Sequence, residues 1–446
     1  MSSSRISLRS LPHLSPSHPV TTAFPALAHP RRFHDYIKGP MAKGTYKVPL
    51  SSPKVVGAFS SRGHREYQED ASSIQALQLS PQELQSSLSR LKNPGPVDWD
   101  PSTAGSPFLA HQVAYFGIFD GHGGKQVSQY LSKRLHALIE QVDSTSIRPV
   151  VEWTKEKHEG YFKRWRGGAL QRWTQWADGE AAEGEGGREE AILREGKGKN
   201  EAGRGEGKML MTLEERLTLA FLQADKDILT SIEHSDRCGS TASVALLHSL
   251  DCPSQPYWAA KKLALTIAHC GDTRVLLCNR ETGLVTPLTE KHHAESRVEA
   301  SRLRRMGAGL LVSDSYGESR WMGAVENTRG FGDGRWKPSG VTVEPQVETR
   351  VIDGEAHAYM ILVTDGITSL ISDQEIIDLA RRSLDPSRAA KTIVHFAEDL
   401  GASDNCTCVV VPLAGWGDVG GEDRTVDRRE YRRRHAETMS TRMQRM

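Results

Sequence analysis

Several short apolar runs in this chain begin or end beside an aspartate. The clearest cases are Val113–Phe119 before Asp120, Ala358–Thr364 before Asp365, and Cys406–Val411 after Asp404. Runs of this length are typical of buried β-strands. They fall well short of the roughly 18 apolar residues that a membrane-spanning helix needs. The pattern therefore predicts a chain built on short strands, and it argues against a membrane span.

Helical patterns lie between these strands. Apolar residues recur with helical spacing after residue 126, Arg297–Met306 has helical character, and a further helix is expected from about Pro386 to Leu400. Ser372 is followed three residues later by Glu375, a capping box that predicts a helix start. Many short strands with helices segregated among them indicate an α+β fold.

One pair of strands is predicted to form a hairpin. Leu263–Ala268 and Val275–Cys278 both have strand character, and Cys270–Arg274 between them reads Cys-Gly-Asp-Thr-Arg, which has the composition of a tight turn. We therefore expect these two strands to pair with each other.

Bulk composition excludes some functions. The 446 residues carry 57 Lys and Arg against 56 Asp and Glu, so the net charge of +1 gives no reason to expect nucleic acid or an anionic membrane as partner. The six cysteines form no C-x-x-C pair and are too sparse for a disulfide scaffold. We expect small buried side chains in a reducing compartment.

The ends of the chain and one internal stretch differ from the rest. Asp35 is the first acidic residue, and the Arg- and Ser-rich residues before it predict a mitochondrial transit peptide over about 1–40, with the matrix favoured. An ordinary disordered terminus in a cytoplasmic protein is the alternative. Residues 145–210 read as an insertion, with 178–208 disordered because its Gly, Glu, Lys and Arg residues offer nothing to bury. Residues 415–446 form an Arg-rich tail.

Acidic residues concentrate in the loops at strand ends. They are Glu69, Asp70, Asp120, Asp272, Asp365 and Asp404. Taken singly, an Asp-Gly pair is most often only a turn. Carboxylates from separate strand ends can nevertheless meet at one rim of a sheet, where their mutual repulsion calls for a neutralising cation. A set of oxygen ligands alone favours Mg²⁺ or Mn²⁺ over zinc.

The order of the motifs carries a family resemblance. The motifs are Arg65-Glu-Tyr-Gln-Glu69-Asp70, Phe119-Asp120-Gly-His-Gly-Gly124, Gly239-Ser-Thr-Ala242, Cys270-Gly-Asp-Thr-Arg274, Thr328-Arg-Gly-Phe-Gly-Asp333, Val363-Thr-Asp-Gly366 and Asp404-Asn405. Together they resemble the metal-dependent protein serine/threonine phosphatases of type 2C (the PPM/PP2C family), and the transit peptide resembles its mitochondrial members. The resemblance implies a phosphatase domain over 50–414. It also implies a central β-sandwich of two antiparallel sheets flanked by helices, with a two-metal site at one end.

The resemblance also implies metal ligands. Asp120 would bridge two ions of Mg²⁺ or Mn²⁺. Glu69 and the backbone carbonyl of Gly121 would hold one of them, and Asp365 and Asp404 would hold the other. Two such cations neutralise phosphoryl oxygens and lower the pKa of water between them.

Three further residues would handle substrate and protons. The resemblance implies that Arg65 grips the phosphate, that Asp70 orients the waters bound to the metals, and that His122 protonates the departing Ser or Thr oxygen. A planar guanidinium matches two phosphate oxygens, and an imidazole suits an acid that works near neutral pH. Gly239-Ser-Thr-Ala242 then needs no nucleophile and is expected to be a strand entry.

One position departs from the family pattern. The family commonly carries a second Asp four residues after the aspartate of Asp365-Gly, where it helps to hold a third metal, and this chain has Ser369 there. Asp272 and Asp365 remain, so a third site is expected to be weak because cation affinity follows ligand charge. His292 is expected at a surface helix entry, although a role in modulating the site stays open. Arg62 competes with Arg65 for phosphate, and the spacing to Glu69-Asp70 favours Arg65.

These observations predict a phosphatase that acts on phosphoserine and phosphothreonine of protein substrates and works as a monomer. Two alternatives remain. One is a pseudophosphatase or scaffold that binds partners through the same fold, and retention of the whole residue set argues against it. The other is a small-molecule phosphatase, because substrate choice resides in loops that the metals do not sense.

Overall fold

A computed structural model of the chain describes residues 35–93, 95–157, 168–174, 210–306, 311–313 and 319–436. Its strands are β1 Tyr36–Met41, β2 Gly44–Pro49, β3 Gly57–Ser61, β4 Ala71–Gln78, β5 Gln112–His122, β6 Gly239–Ser249, β7 Lys262–Cys270, β8 Arg274–Asn279, β9 Val285–Pro287, β10 Leu311–Ser313, β11 Ser319–Trp321, β12 Phe331–Gly332, β13 Gln346–Asp353, β14 His357–Val363 and β15 Cys406–Pro412.

Two antiparallel sheets form the centre of the molecule. The first has the order β13-β7-β6-β5-β4, with β12 paired to β6, and the second has the order β3-β15-β14-β8-β9. Strands β1 and β2 form a separate hairpin. The sheets pack face to face, and Ile118 and Leu247 of the first lie in one buried cluster with Met360 and Leu362 of the second. This arrangement confirms the predicted central β-sandwich.

Helices cover the outer faces of the sandwich. They are α1 Pro81–Ser89, α2 Pro107–His111, α3 Gln126–Gln141, α4 Ile147–Lys157, α5 Leu213–Ser231, α6 Arg297–Met306, α7 Asp365–Thr368, α8 Asp373–Ala380, α9 Pro386–Asp399 and α10 Val426–His435. Helices α3 and α5 pack on the first sheet, and α8 and α9 pack on the second. The layering confirms the α+β prediction, and Ser372 and Glu375 form the expected capping box of α8.

Burial on both sides explains the unbroken apolar strands. In β14, Met360 and Leu362 face the core between the sheets, whereas Ile361 and Val363 face the helices on the other side. Successive side chains of a strand point to opposite faces. Cover on both faces explains why β14 is apolar from Ala358 to Val363.

The predicted hairpin between β7 and β8 is wrong. Strand β7 pairs with β6 and β13, whereas β8 belongs to the other sheet and pairs with β14 and β9. The intervening residues cross from one sheet to the other, a distance of about 10 Å that three extended residues can span. Turn composition alone does not distinguish such a corner from a hairpin.

The described parts of the ends and of the insertion are folded. Strand β1 crosses the expected boundary at residue 40, and its Ile37 is buried in the core between the sheets. Helix α10 lies within the Arg-rich tail. In the insertion, α4 and Trp173 pack on the first helical layer. Residues 1–34 and 178–208 lie outside the described residues. Among the described helices, none combines the length and the apolar character needed to cross a membrane.

Candidate active site

One cavity of about 400 Å³ opens where strand ends of the two sheets meet. The predicted site residues among its lining are Arg65, Asp120, Gly121, His122, Asp272, Asp365 and Asp404. They come from the loop between β3 and β4, the end of β5, the corner between β7 and β8, the start of α7 after β14, and the loop before β15. Residues far apart in sequence thus line one cavity.

Three carboxylates form the centre of this cavity. One oxygen each of Asp120, Asp272 and Asp365 lies within 4.8 Å of the other two. Asp120 comes from the first sheet and Asp365 follows the second, while Asp272 lies in the corner that joins them. The backbone N–H of Asp365 also donates to Oδ2 of Asp120 over 3.3 Å.

The electrostatics of these acids fit a cation. Burial and the neighbouring carboxylates of Asp365, Asp70 and Asp272 raise the pKa of Asp120 well above its ordinary value. Burial, Asp272 and Asp404 raise the pKa of Asp365 to about 7. Such a group is costly when ionised unless a positive charge compensates it. Oxygen-only donors suit a hard divalent cation, so the residues present fit Mg²⁺ or Mn²⁺.

Glu69 and Asp70 lie beside this cavity, just before β4. The backbone N–H of Glu69 donates to Oδ1 of Asn405 over 2.7 Å, and its carbonyl accepts a hydrogen bond from the Ser128 hydroxyl. Asp70 is buried, and its Oδ2 accepts from Oγ1 of Thr364 over 2.9 Å. Burial is the main cause that raises the pKa of Asp70 to about 7.

Asn405 fastens the loop that carries these acids. Its Nδ2 donates to the carbonyl oxygens of Arg62 and Tyr67 over 2.9 and 3.0 Å, while its Oδ1 accepts from Glu69. The sequence motif Asp404-Asn405 contained this residue, but only the fold reveals that it holds the loop of residues 62–69 in place.

Arg65 is paired with one of the predicted ligands. Its Nη2 lies 2.7 Å from Oδ2 of Asp404, and about half of its side chain is exposed. The alternative phosphate binder, Arg62, donates to the carbonyl oxygen of Glu66 and is not among the residues that line the cavity. The position of Arg65 therefore agrees with the preference for it over Arg62.

His122 lies at the rim of the cavity beside a further acid, Asp333. Nε2 of His122 is 2.7 Å from Oδ2 of Asp333. Desolvation lowers the pKa of His122, but the hydrogen bond to Asp333 and the charges of Asp333, Asp272 and Glu69 outweigh it, so that the pKa is raised overall. Asp333 belongs to a motif quoted from the sequence, yet that motif gave it no role.

The glycine of the Asp-Gly-His motif is required by a close approach. A Cβ atom on Gly121 would lie 2.4 Å from the carbonyl oxygen of Glu69. Any other residue would therefore push the loop that carries Glu69 away from the end of β5.

A buried polar network fixes the corner that bears Asp272. The backbone N–H of Gly271 donates to Nδ1 of His292 over 3.0 Å, and the His292 ring stacks on His269 with 4.6 Å between centroids. Only 2% of His292 is exposed, so its expected place at a surface helix entry is wrong. Burial, His269 and Arg329 lower the pKa of His292 well below its ordinary value, which keeps it a neutral acceptor.

Ser369 occupies the position of the missing family aspartate. It is exposed, follows α7 one turn after Asp365, and donates its hydroxyl to the carbonyl of Gly366 over 3.3 Å. No carboxylate supplements Asp272 and Asp365 from this position.

The chain is similar to several known phosphatases. The family model described as protein phosphatase 2C matches residues 151–406. Protein phosphatase 2C homolog 4 of Schizosaccharomyces pombe is 34% identical over 324 residues, which cover 71% of this chain and 74% of the relative. Protein phosphatase 1K, mitochondrial, of Xenopus laevis is 33% identical over 198 residues, which cover 44% of this chain and 47% of the relative. A crystal structure of a phosphatase from Toxoplasma gondii aligns with a TM-score of 0.49 at 16% identity. The alignment covers 81% of this chain and 94% of that chain.

The fold and the cavity define a β-sandwich with an acidic site where strand ends of its two sheets meet. On the family match and the Schizosaccharomyces relative, the chain belongs to the protein phosphatase 2C family and is a protein serine/threonine phosphatase. The matched range contains Asp272, Asp333, Asp365 and Asp404, whereas Glu69, Asp120 and His122 precede it.

Proposed function

We propose that this chain hydrolyses phosphoserine and phosphothreonine in proteins with the help of two ions of Mg²⁺ or Mn²⁺. The observation that carries the proposal is the meeting of Asp120, Asp272 and Asp365 within 4.8 Å, in a cavity that Arg65 and His122 also line. When bound, the cations would neutralise the phosphoryl oxygens and lower the pKa of a water molecule.

The ligands would come from both sheets. Asp120 would be shared by both ions, with Glu69 and the carbonyl of Gly121 on one side and Asp365 and Asp404 on the other. The raised pKa values of Asp120 and Asp365 support this role, because a cation relieves the repulsion that raises them. Asp272 and Asp365 would hold a third, weaker ion, since Ser369 adds no charge.

The remaining residues would bind the substrate and move its protons. Arg65 would bind two phosphate oxygens through its guanidinium, and phosphate would then replace Asp404 as its partner. Asp70, held by Thr364, would orient water toward the phosphorus atom. As water attacks, the bond between phosphorus and the Ser or Thr oxygen breaks, and His122 would give that oxygen a proton.

Phosphate release from phosphopeptides tests the function. The full chain with Mn²⁺ should release phosphate from phosphoserine and phosphothreonine peptides, and EDTA should abolish the release. Free phosphoserine and a sugar phosphate serve as small-molecule comparisons. A protein that binds Mn²⁺ and cleaves no phosphoester would be a pseudophosphatase, and preference for the small esters would contradict a protein substrate.

We also propose import into the mitochondrial matrix through residues 1–40. The absence of acidic residues before Asp35 and the arginines in this stretch support it, as does the mitochondrial relative. Residues 1–40 fused to a reporter should direct it to mitochondria, and a matched fusion with Arg5, Arg9, Arg31 and Arg32 changed to Gln should not. A cytoplasmic reporter in both cases would favour the alternative location.

For the organisation of the chain, we propose a monomeric phosphatase domain over 50–414, interrupted by the insertion at 145–210. The packing of β1 and α10 on this domain extends the folded part beyond both limits. Light scattering of the full chain tests the oligomeric state.

A further inference from the structure

Three sequence motifs meet at the side chain of His122. In the first sheet His122 pairs with Gly239 of β6, and Gly239 pairs in turn with Gly332 of β12. Asp333 follows directly and directs its carboxylate back to His122, with 2.7 Å between Oδ2 and Nε2. Only 7% of Asp333 is exposed. The contact therefore joins a cavity residue to a nearly buried acid.

The space for this contact depends on glycine. A Cβ atom on Gly239 would lie 2.6 Å from both Oδ2 of Asp333 and Nε2 of His122, closer than Cβ atoms approach non-bonded atoms. Gly332 has a φ of +68°, and a Cβ there would lie 2.3 Å from the carbonyl oxygen of Cys238. The glycines of two motifs thus leave room for the pair of His122 and Asp333.

The backbone of Asp333 is itself constrained. Asp333 has φ and ψ of 52° and 38°, a left-handed conformation that non-glycine residues seldom adopt. Its N–H donates to the carbonyl oxygen of Cys238 over 3.2 Å. The N–H of Gly332 donates to Oδ1 of the buried Asp225 over 2.8 Å, and Asp225 forms an ion pair with the buried Lys337. The surroundings hold Asp333 in place, and strain of this kind is commonly found at functional sites.

We propose that Asp333 is a positioning residue, which holds His122 through Nε2 and leaves Nδ1 to serve the departing oxygen of the substrate. Among the described residues, His122 Nδ1 has no hydrogen-bond partner. A ring bonded at Nε2 to a fixed carboxylate has one orientation and one preferred tautomer. This inference rests on the proposed function, in which His122 is the acid.

In the proposed step His122 protonates the ester oxygen as it leaves. The bond between phosphorus and the ester oxygen breaks, its electron pair stays on that oxygen, and the oxygen takes the proton from Nδ1. The imidazole is then neutral, with its remaining proton on Nε2 facing Asp333. Asp333 itself neither gains nor loses a proton in this step.

The leaving group of the substrate provides the test. An aryl phosphate such as 4-nitrophenyl phosphate leaves without a proton, whereas the alkyl oxygen of a phosphothreonine peptide needs one. With Mn²⁺ saturating, Asp333→Ala should lower kcat on the peptide about tenfold or more beyond any loss on the aryl ester, since general acids contribute about 10²–10⁴-fold. Asp333→Asn keeps an acceptor oxygen and should recover part of the loss. Asp236→Asn, which changes an exposed acid nearby, should match the wild type.

A double variant separates positioning from general damage. His122→Ala with Asp333→Ala should be no slower on the peptide than His122→Ala alone, because Asp333 acts through His122. Equal losses on both esters, or additive losses in the double variant, would overturn the proposal. If Asp333→Ala does not fold, Gly239→Ala keeps the carboxylate but crowds the contact, and it should give the same selective loss on the peptide.

A spectroscopic measurement keeps this inference separate from the proposed function. Nitrogen-15 NMR of the histidine rings should show His122 protonated at Nε2 in the wild type, and Asp333→Ala should change that signal. If the wild type shows no Mn²⁺-dependent hydrolysis, the proposed function is refuted. The NMR signal of His122 would still test its pairing with Asp333. If the wild type is active but the His122 signal of Asp333→Ala equals that of the wild type, the positioning role is refuted and the proposed function is not.

Discussion

Asp365 donates its backbone N–H to the carboxylate of Asp120 over 3.3 Å, so that an acid of one sheet is in contact with the strand end of the other. Burial raises the pKa of both carboxyls; the charge of Asp365 further raises that of Asp120, and the charges of Asp272 and Asp404 further raise that of Asp365. A substitution that removes one negative charge should therefore affect stability and activity in opposite directions.

Asp120→Asn should lower turnover on a phosphopeptide by about 10²-fold or more, the usual cost of losing one electrostatic contact to a transition state. In EDTA, its melting temperature should equal or exceed that of the wild type, because the repulsion among the acids is reduced. Asp418→Asn, at an exposed acid paired with Arg280, is the matched control and should change neither quantity. Wild-type turnover in Asp120→Asn would contradict the metal assignment.

Metal binding should release protons near neutral pH. Burial raises the pKa of Asp70 and of Asp365 from 3.8 to about 7, so both carboxyls are partly protonated at pH 7 and a cation must displace the protons. Mn²⁺ affinity should rise from pH 5.5 to 8 and then level off. Calorimetry in two buffers of different ionisation enthalpy measures the protons released, and equal heats in both would contradict the expectation.

The same shifts predict how the metal-free protein responds to pH. A folded pKa above the unfolded value means that the native state binds more protons between about pH 4 and 7. These two groups should therefore lower the free energy of unfolding as pH rises through that range. Saturating Mn²⁺ should raise the melting temperature more at pH 8 than at pH 5, which differential scanning calorimetry can measure.

Restoring the missing acid should strengthen the weak third site. Ser369→Asp places a carboxylate one helical turn after Asp365, and cation affinity follows the number of charged ligands. Titration calorimetry should detect a higher affinity for an additional Mn²⁺. Ser369→Asn has nearly the same size without the charge, so equal binding by both variants would rule out a cation held at this position.

A buried ion network beside the site should dominate the stability of its surroundings. Glu299 is fully buried, and its carboxylate accepts hydrogen bonds from Arg302, Arg329 and Thr328. Burial raises the pKa of Glu299, but the two arginines outweigh it and lower the pKa overall. This stabilisation should be complete at neutral pH and should be lost as pH falls below the ordinary glutamate range.

Glu299→Gln should cost about 3–5 kcal/mol, because it removes the negative charge that pairs with two buried guanidinium groups. Glu152→Gln breaks an exposed pair with Arg148 and should cost about 0.5 kcal/mol or less. Urea unfolding at pH 7 measures both losses. A loss in Glu299→Gln no larger than that in Glu152→Gln would contradict the importance of the network.

The strands and the acids at their ends could be predicted from sequence because each rests on a local pattern. The run Ala358–Val363 is apolar since β14 is covered on both faces, and Asp365 follows two residues after the strand ends. The capping box at Ser372 is likewise a local signal. The motif order then predicted which acids share a site, and the structure places Asp120, Asp272 and Asp365 together.

Other features were not predictable because distant residues decide them. Whether Cys270–Arg274 turns back or crosses to another sheet depends on the partners of β7 and β8, which lie far away in sequence. His292 lies in a polar stretch of the sequence, yet its contacts with Gly271 and His269 bury its side chain. In the proline-rich stretch 80–110, Leu84, Leu88 and Trp99 pack into the core beside α5.

The corner at Asp272 has a mechanical consequence. Asp120 belongs to one layer of the sandwich and Asp365 to the other, so a cation shared by them would link the two layers. Chelation should then permit a small sliding of one layer over the other, which hydrogen exchange at β5 and β14 would register. The same cation would thus determine both the catalytic geometry and the rigidity of the sandwich.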